Sequence, residues 1–259
     1  MEFVDTHSHI HSDKYGLNAD EVLERARIAG VTRVICVGTT LADSRAAKDF
    51  ADSHEEVWAT AGVHPHDAQS YVGSPSNQDQ LRGILNKSSI VAVGEIGLDY
   101  YKNYSSRVSQ QKALRLQIEA GLPTGLPFVF HVREAWDDFW RILDGYTDLK
   151  GVIHSFSSTP DHLEEALSRG LYVGLNGIMT FTTDEQQLAA AKAVPANKLL
   201  LETDAPFLTP APERGKICEP KHTRNVAEFL SELRQEPLEK LAAATTRNAV
   251  ELFELKSRK

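Results

Sequence analysis

Short apolar runs alternate along this chain with stretches whose apolar residues recur every three or four positions. The runs Phe3–His9, Arg33–Gly38, Val57–Val63, Ile90–Ile96, Pro127–Val132, Gly151–Ser155, Leu171–Leu175 and Lys198–Thr203 read as strands. Between them lie segments such as Ala19–Ala29, where Ala19, Val22, Leu23 and Ala26 form one buried helical stripe. After the eighth run, Val226, Phe229, Leu230 and Leu233 share a helical face in Asn225–Arg234, and a last helix covers Leu238–Phe253. About eight β-then-α units predict an α/β fold, a closed (β/α)8 TIM barrel with an additional C-terminal helix. A doubly wound open sheet is the alternative. The turn after the first strand has no glycine-rich phosphate loop, which counts against the dinucleotide-binding version of that sheet.

At 259 residues and 41% hydrophobic, the chain can bury a large core. Its glycines and prolines are spread rather than pooled in a linker, so one domain over residues 1–259 is expected. The net charge of -8 excludes a long-range basic field for nucleic acid, and such a substrate would have to be held locally. Cys36 and Cys218 make no disulfide framework or zinc motif, and the N-terminus has no basic-then-apolar leader. A cytoplasmic protein without membrane attachment or an obligate protein partner is expected.

The chemistry begins at once, in Asp5-Thr6-His7-Ser8-His9 behind Phe3-Val4. Strand alternation sends His7 and His9 to one face, where both can hold one cation. Chemically capable residues recur at later strand ends: His64, Glu95, His131, His154, Glu202 and Asp204. In a parallel barrel these ends share one rim, where active sites are built. Alone, His131 and His154 also suit buried structural histidines. Glu95, behind Val91-Ala92-Val93-Gly94, is costly to bury without a cation or a dedicated partner.

Four imidazoles and two carboxylates suffice for two divalent cations. Glu95 is expected to bridge them, with His7, His9 and Asp204 on one and His131 and His154 on the other. Asp204 would also take the proton of the attacking water. Glu202 would orient a ligating histidine or contact substrate, and Asp5 would support the histidines or make a structural hydrogen bond. His64, with His66, would face the reacting group or cap a helix. Arg133, Arg214 and Lys216 are candidate phosphate contacts, with Lys221, His222 and Arg224 completing a short basic rim. Trp136 and Trp140, four apart, read as packing.

In order, Asp5-Thr6-His7-Ser8-His9, Gly62-Val63-His64-Pro65-His66, Gly94-Glu95-Ile96-Gly97-Leu98-Asp99-Tyr100, His131-Val132-Arg133, His154-Ser155-Phe156-Ser157 and Glu202-Thr203-Asp204-Ala205-Pro206 resemble the motifs of the TatD family of metal-dependent deoxyribonucleases. The resemblance implies an amidohydrolase-like barrel whose ligands match His7, His9, Glu95, His131, His154 and Asp204. It also implies hydrolysis of DNA phosphodiester bonds, often as a single-strand exonuclease, with magnesium or another divalent ion. Magnesium or manganese would serve in function, whereas an imidazole-rich site can retain zinc, iron or nickel on isolation. Ser155 and Ser158 stand where the family usually has Cys and Gly, and Cys218 replaces an Asn, all beside the pocket. Hydrolysis of a carboxylic ester or lactone, including D-aminoacyl-tRNA deacylation, is the rival chemistry. An inactive metal-binding scaffold is the rival outside catalysis.

Overall fold

The computed structural model describes residues 1–102 and 104–256. Eight parallel strands follow one another round a single sheet in chain order. They are β1 (Phe3–Ser8), β2 (Val31–Val37), β3 (Val57–Ala61), β4 (Ile90–Asp99), β5 (Phe128–Arg133), β6 (Gly151–Ile153), β7 (Tyr172–Leu175) and β8 (Leu199–Leu201). Helices α1 (Ala19–Ile28) and α2 (Leu41–Ser53) follow β1 and β2, and both α3 (Ala68–Val72) and α4 (Ser76–Leu85) follow β3. Next come α5 (Arg107–Gly121), α6 (Trp136–Leu143), α7 (Pro160–Ser168) and α8 (Glu185–Ala193), each after its strand. Helices α9 (Thr223–Arg234) and α10 (Leu238–Phe253) end the chain. Among the described residues, this is a TIM barrel with ten α-helices for its eight strands, the extra ones being the second after β3 and the C-terminal α10. The helices start where side-chain oxygens satisfy their free N–H groups: Asn18 for α1, Thr40 for α2, Thr159 for α7 and Asp184 for α8.

Alternation along the strands sorts two apolar layers. Phe3, Cys36, Ala59, Ile96, Phe130, Ile153 and Leu175 pack outward with the helices. Val4, Ile35, Val37, Val91, Val129, Val152 and Leu200 fill the barrel together with Ala249, Leu252, Phe253 and Leu255 from α10 and the turn behind it. Helix α10 is therefore the floor of the barrel. Burying Leu252 and Phe253 there contributes about 1.5–3 kcal/mol each.

Hydrogen bonds around the functional end close the barrel between β8 and β1. Asp204 N–H donates to the His7 carbonyl at 2.8 Å, and His9 N–H to the Ala205 carbonyl at 2.7 Å. Asp5 reinforces the seam by accepting from Thr203 N–H at 2.9 Å and from the Thr203 hydroxyl at 2.6 Å.

Strand boundaries shift by one to three residues from the sequence reading, and three of the shifts move chemistry. β4 runs three residues beyond Ile96, to Asp99, along the long edge of β5. β6 and β8 stop at Ile153 and Leu201, so His154, Glu202 and Asp204 stand just past the strand ends. The backbone turns there, with positive φ at Ser155 and Asp204. Gly97 (φ 149°) lets β4 lie against β5: a β-carbon at Gly97 would overlap the His131 carbonyl.

Candidate active site

His7, His9, Glu95, His131, His154 and Asp204 meet in the mouth of the barrel. Glu95 lies at the centre. Its Oε2 is 3.4 Å from His7 Nε2, while its Oε1 is 2.8 Å from His131 Nδ1 and 3.2 Å from His154 Nε2. Asp204 Oδ1 stands 3.4 Å from His9 Nε2 and 3.7 Å from His7 Nε2. The His7 and His154 rings stack at 3.6 Å. One oxygen of Glu95 therefore addresses His7 on β1, and the other addresses His131 on β5 and His154 just past β6.

A buried imidazole ordinarily finds a partner for each nitrogen. His7 is fully buried, and neither of its ring nitrogens has a hydrogen bond. The surrounding donors are imidazole nitrogens and carboxylate oxygens, a set that suits divalent transition metals and manganese. Two groups containing Glu95, one with His7 and His9 and one with His64 and His131, bring a donor atom from each residue within metal-binding reach. A third group joins His7, His154 and Glu202, and the residues present fit bound metal.

The acids and the rings act on one another. Burial works to lower the pKa values of His9, His131 and His154, but Asp204 raises His9, Asp99 and Glu95 raise His131, and Glu202 and Glu95 raise His154. Burial, with the neighbouring His154, lowers the His7 pKa and keeps that ring in the neutral, ligating form. Burial works to raise Glu95, but His154, His64, His7 and His131 outweigh it and hold the carboxyl well below its usual range. Asp204 is likewise lowered, the hydrogen bond to His9 and the nearby His154 and His7 outweighing burial. Both acids are anions facing imidazoles.

A supporting layer fixes the rings. His9 Nδ1 sits 2.8 Å from the Val37 carbonyl, which presents Nε2 to the mouth. Glu202 lies behind His154, with Oε1 3.1 Å from its Nδ1, and also accepts from Ser155 N–H at 2.6 Å. It is 1% exposed, so of the two roles expected for it, contact with substrate gives way to orienting His154. Gly174 makes room, since a β-carbon at that position would overlap the Glu202 carboxylate.

Asp99 is a participant that the sequence reading missed. Its Oδ2 lies 3.2 Å from His131 Nε2 and 3.1 Å from His66 Nε2, while Oδ1 accepts from Lys102 N–H. Those bonds outweigh burial and lower the Asp99 pKa strongly. The signal was available: Glu95, Gly97 and Asp99 alternate on one face once β4 is allowed to continue.

The candidate substrate contacts divide. His64 Nδ1 accepts from His66 N–H, which caps the turn Pro65–Asp67, and His64 Nε2 is 3.6 Å from Glu95 Oε1. It both caps and faces the site. Arg133 is exposed on the rim, its guanidinium 3.8 Å from the centre of the Tyr101 ring. Arg214 lies 3.7 Å over Phe181 and donates to the Thr209 carbonyl. The rest of the expected basic rim is largely neutralised, with Lys216 paired to Glu213, Lys221 to Glu219 and Arg224 to Glu228. His222 is buried and accepts from Glu219 N–H. Trp140 is buried, and Trp136 stacks on His162 at 4.6 Å, as packing residues do.

Comparison with known proteins follows this geometry. A profile for TatD related DNase matches residues 4–254. The chain is 36% identical over 257 residues to the 3'-5' ssDNA/RNA exonuclease TatD of Cronobacter sakazakii, covering 94% of this chain and 95% of that protein. It is 32% identical over 253 residues to the metal-dependent hydrolase YabD of Bacillus subtilis, covering 97% and 98%. The crystal structure of YJJV, a TatD homolog from Escherichia coli, superimposes with a TM-score of 0.91 at 28% identity, covering 97% of this chain and 98% of that one.

Proposed function

Because the chain belongs to the TatD-related DNase family, whose members include metal-dependent hydrolases, we propose that it cleaves phosphodiester bonds of DNA with two divalent cations, removing nucleotides from single strands. The observation that carries this reading is Glu95, which turns one carboxylate oxygen to His7 and the other to His131 and His154. His7, His9 and Asp204 would hold one cation, His131 and His154 the other, with Glu95 between them. Magnesium or manganese would serve in function, and zinc, iron or nickel are ions that such a site retains on isolation. When bound, the cations lower the pKa of water and neutralise charge that builds on the phosphate.

The chain's own groups do the rest. Asp204, less buried than Glu95, takes the proton of the attacking water. His64, beside Glu95 at the mouth, and Arg133, on the rim, hold phosphate oxygens. Glu202 and Asp99 keep His154 and His131 from rotating as substrate enters. DNA then binds at the rim only, in keeping with the acidic protein as a whole. Cys36 and Cys218 are free and buried, which suits a reducing cytoplasm. No helix among the described residues is long and apolar enough to cross a membrane.

Timed digestion of an end-labelled strand tests the reading. Chelation should abolish cleavage, and restoring manganese or magnesium should return a ladder of products shortened one nucleotide at a time, with duplex consumed more slowly. Hydrolysis of D-aminoacyl-tRNA without cleavage of either nucleic acid would replace the phosphodiesterase by the esterase.

A further inference from the structure

Exposed aromatic rings are unevenly placed on this molecule. Among the described residues, the exposed large aromatics are Tyr101, Tyr104, Phe181 and Phe207. All four follow the C-terminal ends of strands, two after β4, one after β7 and one after β8. Elsewhere the aromatics are buried or half-buried. Leaving a ring in water forgoes the gain from burying it. Exposure confined to the rim that carries the histidines and acids points to a ligand with flat apolar faces.

Position refines the ligand. Phe207, 46% exposed, is three residues past Asp204 and is fixed to it by a hydrogen bond from Phe207 N–H to the Asp204 carbonyl. Its ring lies edge-to-face with His9 at 6.4 Å and with Tyr15 at 5.4 Å, so it is braced beside one proposed cation position. Tyr104, 70% exposed, meets His66 edge-to-face at 4.8 Å, and His66 shares Asp99 with His131 beside the other. β4 and β8 are four strands apart in the ring of eight, so the platforms flank the mouth from opposite sides. Between them the charge is complementary to phosphate, because the Arg133 guanidinium lies 3.8 Å from the centre of the Tyr101 ring and that of Arg214 lies 3.7 Å from the centre of the Phe181 ring. A guanidinium carries several N–H donors that suit an anion. Rings interleaved with cations are the arrangement that takes a single nucleic-acid strand, whose bases are free to stack.

We propose that Phe207 and Tyr104 are stacking platforms for unpaired nucleobases on either side of the reacting phosphate, so that the enzyme selects strands whose bases are free. This assignment rests on the phosphodiesterase reading and goes beyond it by naming what the rim recognises. A paired base presents its face to its neighbours in the stack and not to Phe207. Preference for single strands then arises from the rim rings rather than from the cations.

The test compares a thymidine decamer with a decamer of abasic sites, which carries the same phosphates and no bases. Binding of each labelled strand is read by fluorescence anisotropy with metal chelated, and cleavage is read separately with manganese. The unmodified protein should bind the thymidine strand more tightly than the abasic one. Phe207→Ala and Tyr104→Ala should each cut that preference roughly tenfold or more, as expected from the contribution of one stacked base. Both positions are exposed, and unchanged thermal unfolding would verify that the fold is intact. The platforms are overturned if the unmodified protein fails to discriminate between the strands, and a variant that keeps its ratio removes the platform at that position. Cleavage of both strands without discrimination overturns the platforms and leaves the phosphodiesterase standing. Base-dependent binding with no cleavage under any metal keeps the platforms and removes the phosphodiesterase.

Discussion

Replacing Glu95 by alanine lowers the rate of strand cleavage by about a thousandfold or more, and the purified variant holds fewer cations per chain than the unmodified protein. The size follows from what the carboxylate does. It places one oxygen 3.4 Å from His7 and the other 2.8 Å from His131. Without it, two cations would repel each other with no anion between them, a loss of several kcal/mol at the reacting centre, where about 1.4 kcal/mol corresponds to each factor of ten. Glu95→Gln keeps the shape and removes the charge, so it separates the two contributions: cation content should fall nearly as far as in the alanine variant. Metal content by mass spectrometry, measured beside kcat, checks both. An alanine variant with full metal content and unimpaired turnover would remove Glu95 from the bridging role.

The second large effect is on stability. Asp5→Ala should unfold about 6–12 °C below the unmodified protein, corresponding to about 3 kcal/mol. Asp5 is completely buried and accepts from Thr203 N–H, the Thr203 hydroxyl and His7 N–H. Alanine leaves those buried donors without an acceptor, each at a cost of about 1–3 kcal/mol before any relaxation. The lost bonds lie in the seam between β8 and β1, next to Asp204 and His7, so the variant should also release its cations more readily. Asp5→Asn retains an acceptor for Thr203 N–H and should recover part of the loss. Thermal unfolding of the chelated and the metal-loaded forms distinguishes the seam from the site. An alanine variant that melts within a degree or two of the parent would show that the seam does not depend on this carboxylate.

Much of this was legible in the chain because periodicity and chemistry reinforce each other. Apolar runs of four to eight residues separated by helical stripes define a barrel, and placing His and acidic residues at the ends of those runs defines a rim. The details that escaped were local breaks in alternation. Val4 belongs to the barrel interior and His7 also faces the mouth, three residues later, which a regular strand does not allow; the β1–β2 register shifts between Asp5 and Ser8. Asp5 therefore does not share the site with His7, as simple parity suggested, and serves the seam instead. At β4 the error was length: ending the strand at Ile96 hid Asp99, whose partners His131 and His66 become apparent only when the strand continues. Glu202 could not be assigned from sequence because its role depends on Ser155 and His154, brought to it by a turn with positive φ at Ser155. In the basic loop, the pairing of Lys216, Lys221 and Arg224 with Glu213, Glu219 and Glu228 was hidden in the sequence, because it forms only in three dimensions, whereas Arg214 lies against Phe181 instead.

Among the described residues, helix α10 covers the end of the barrel opposite the histidines and acids. Leu252 and Phe253 stopper the far end, and the interior above them is filled with side chains. Under the proposed activity, whatever is severed at the mouth would leave through the opening that admits the remaining strand, because described side chains fill the interior below it. Traffic would then be one lane wide. A liberated nucleotide that lingered would block the next advance, so its departure would set a ceiling on how fast the strand could be shortened.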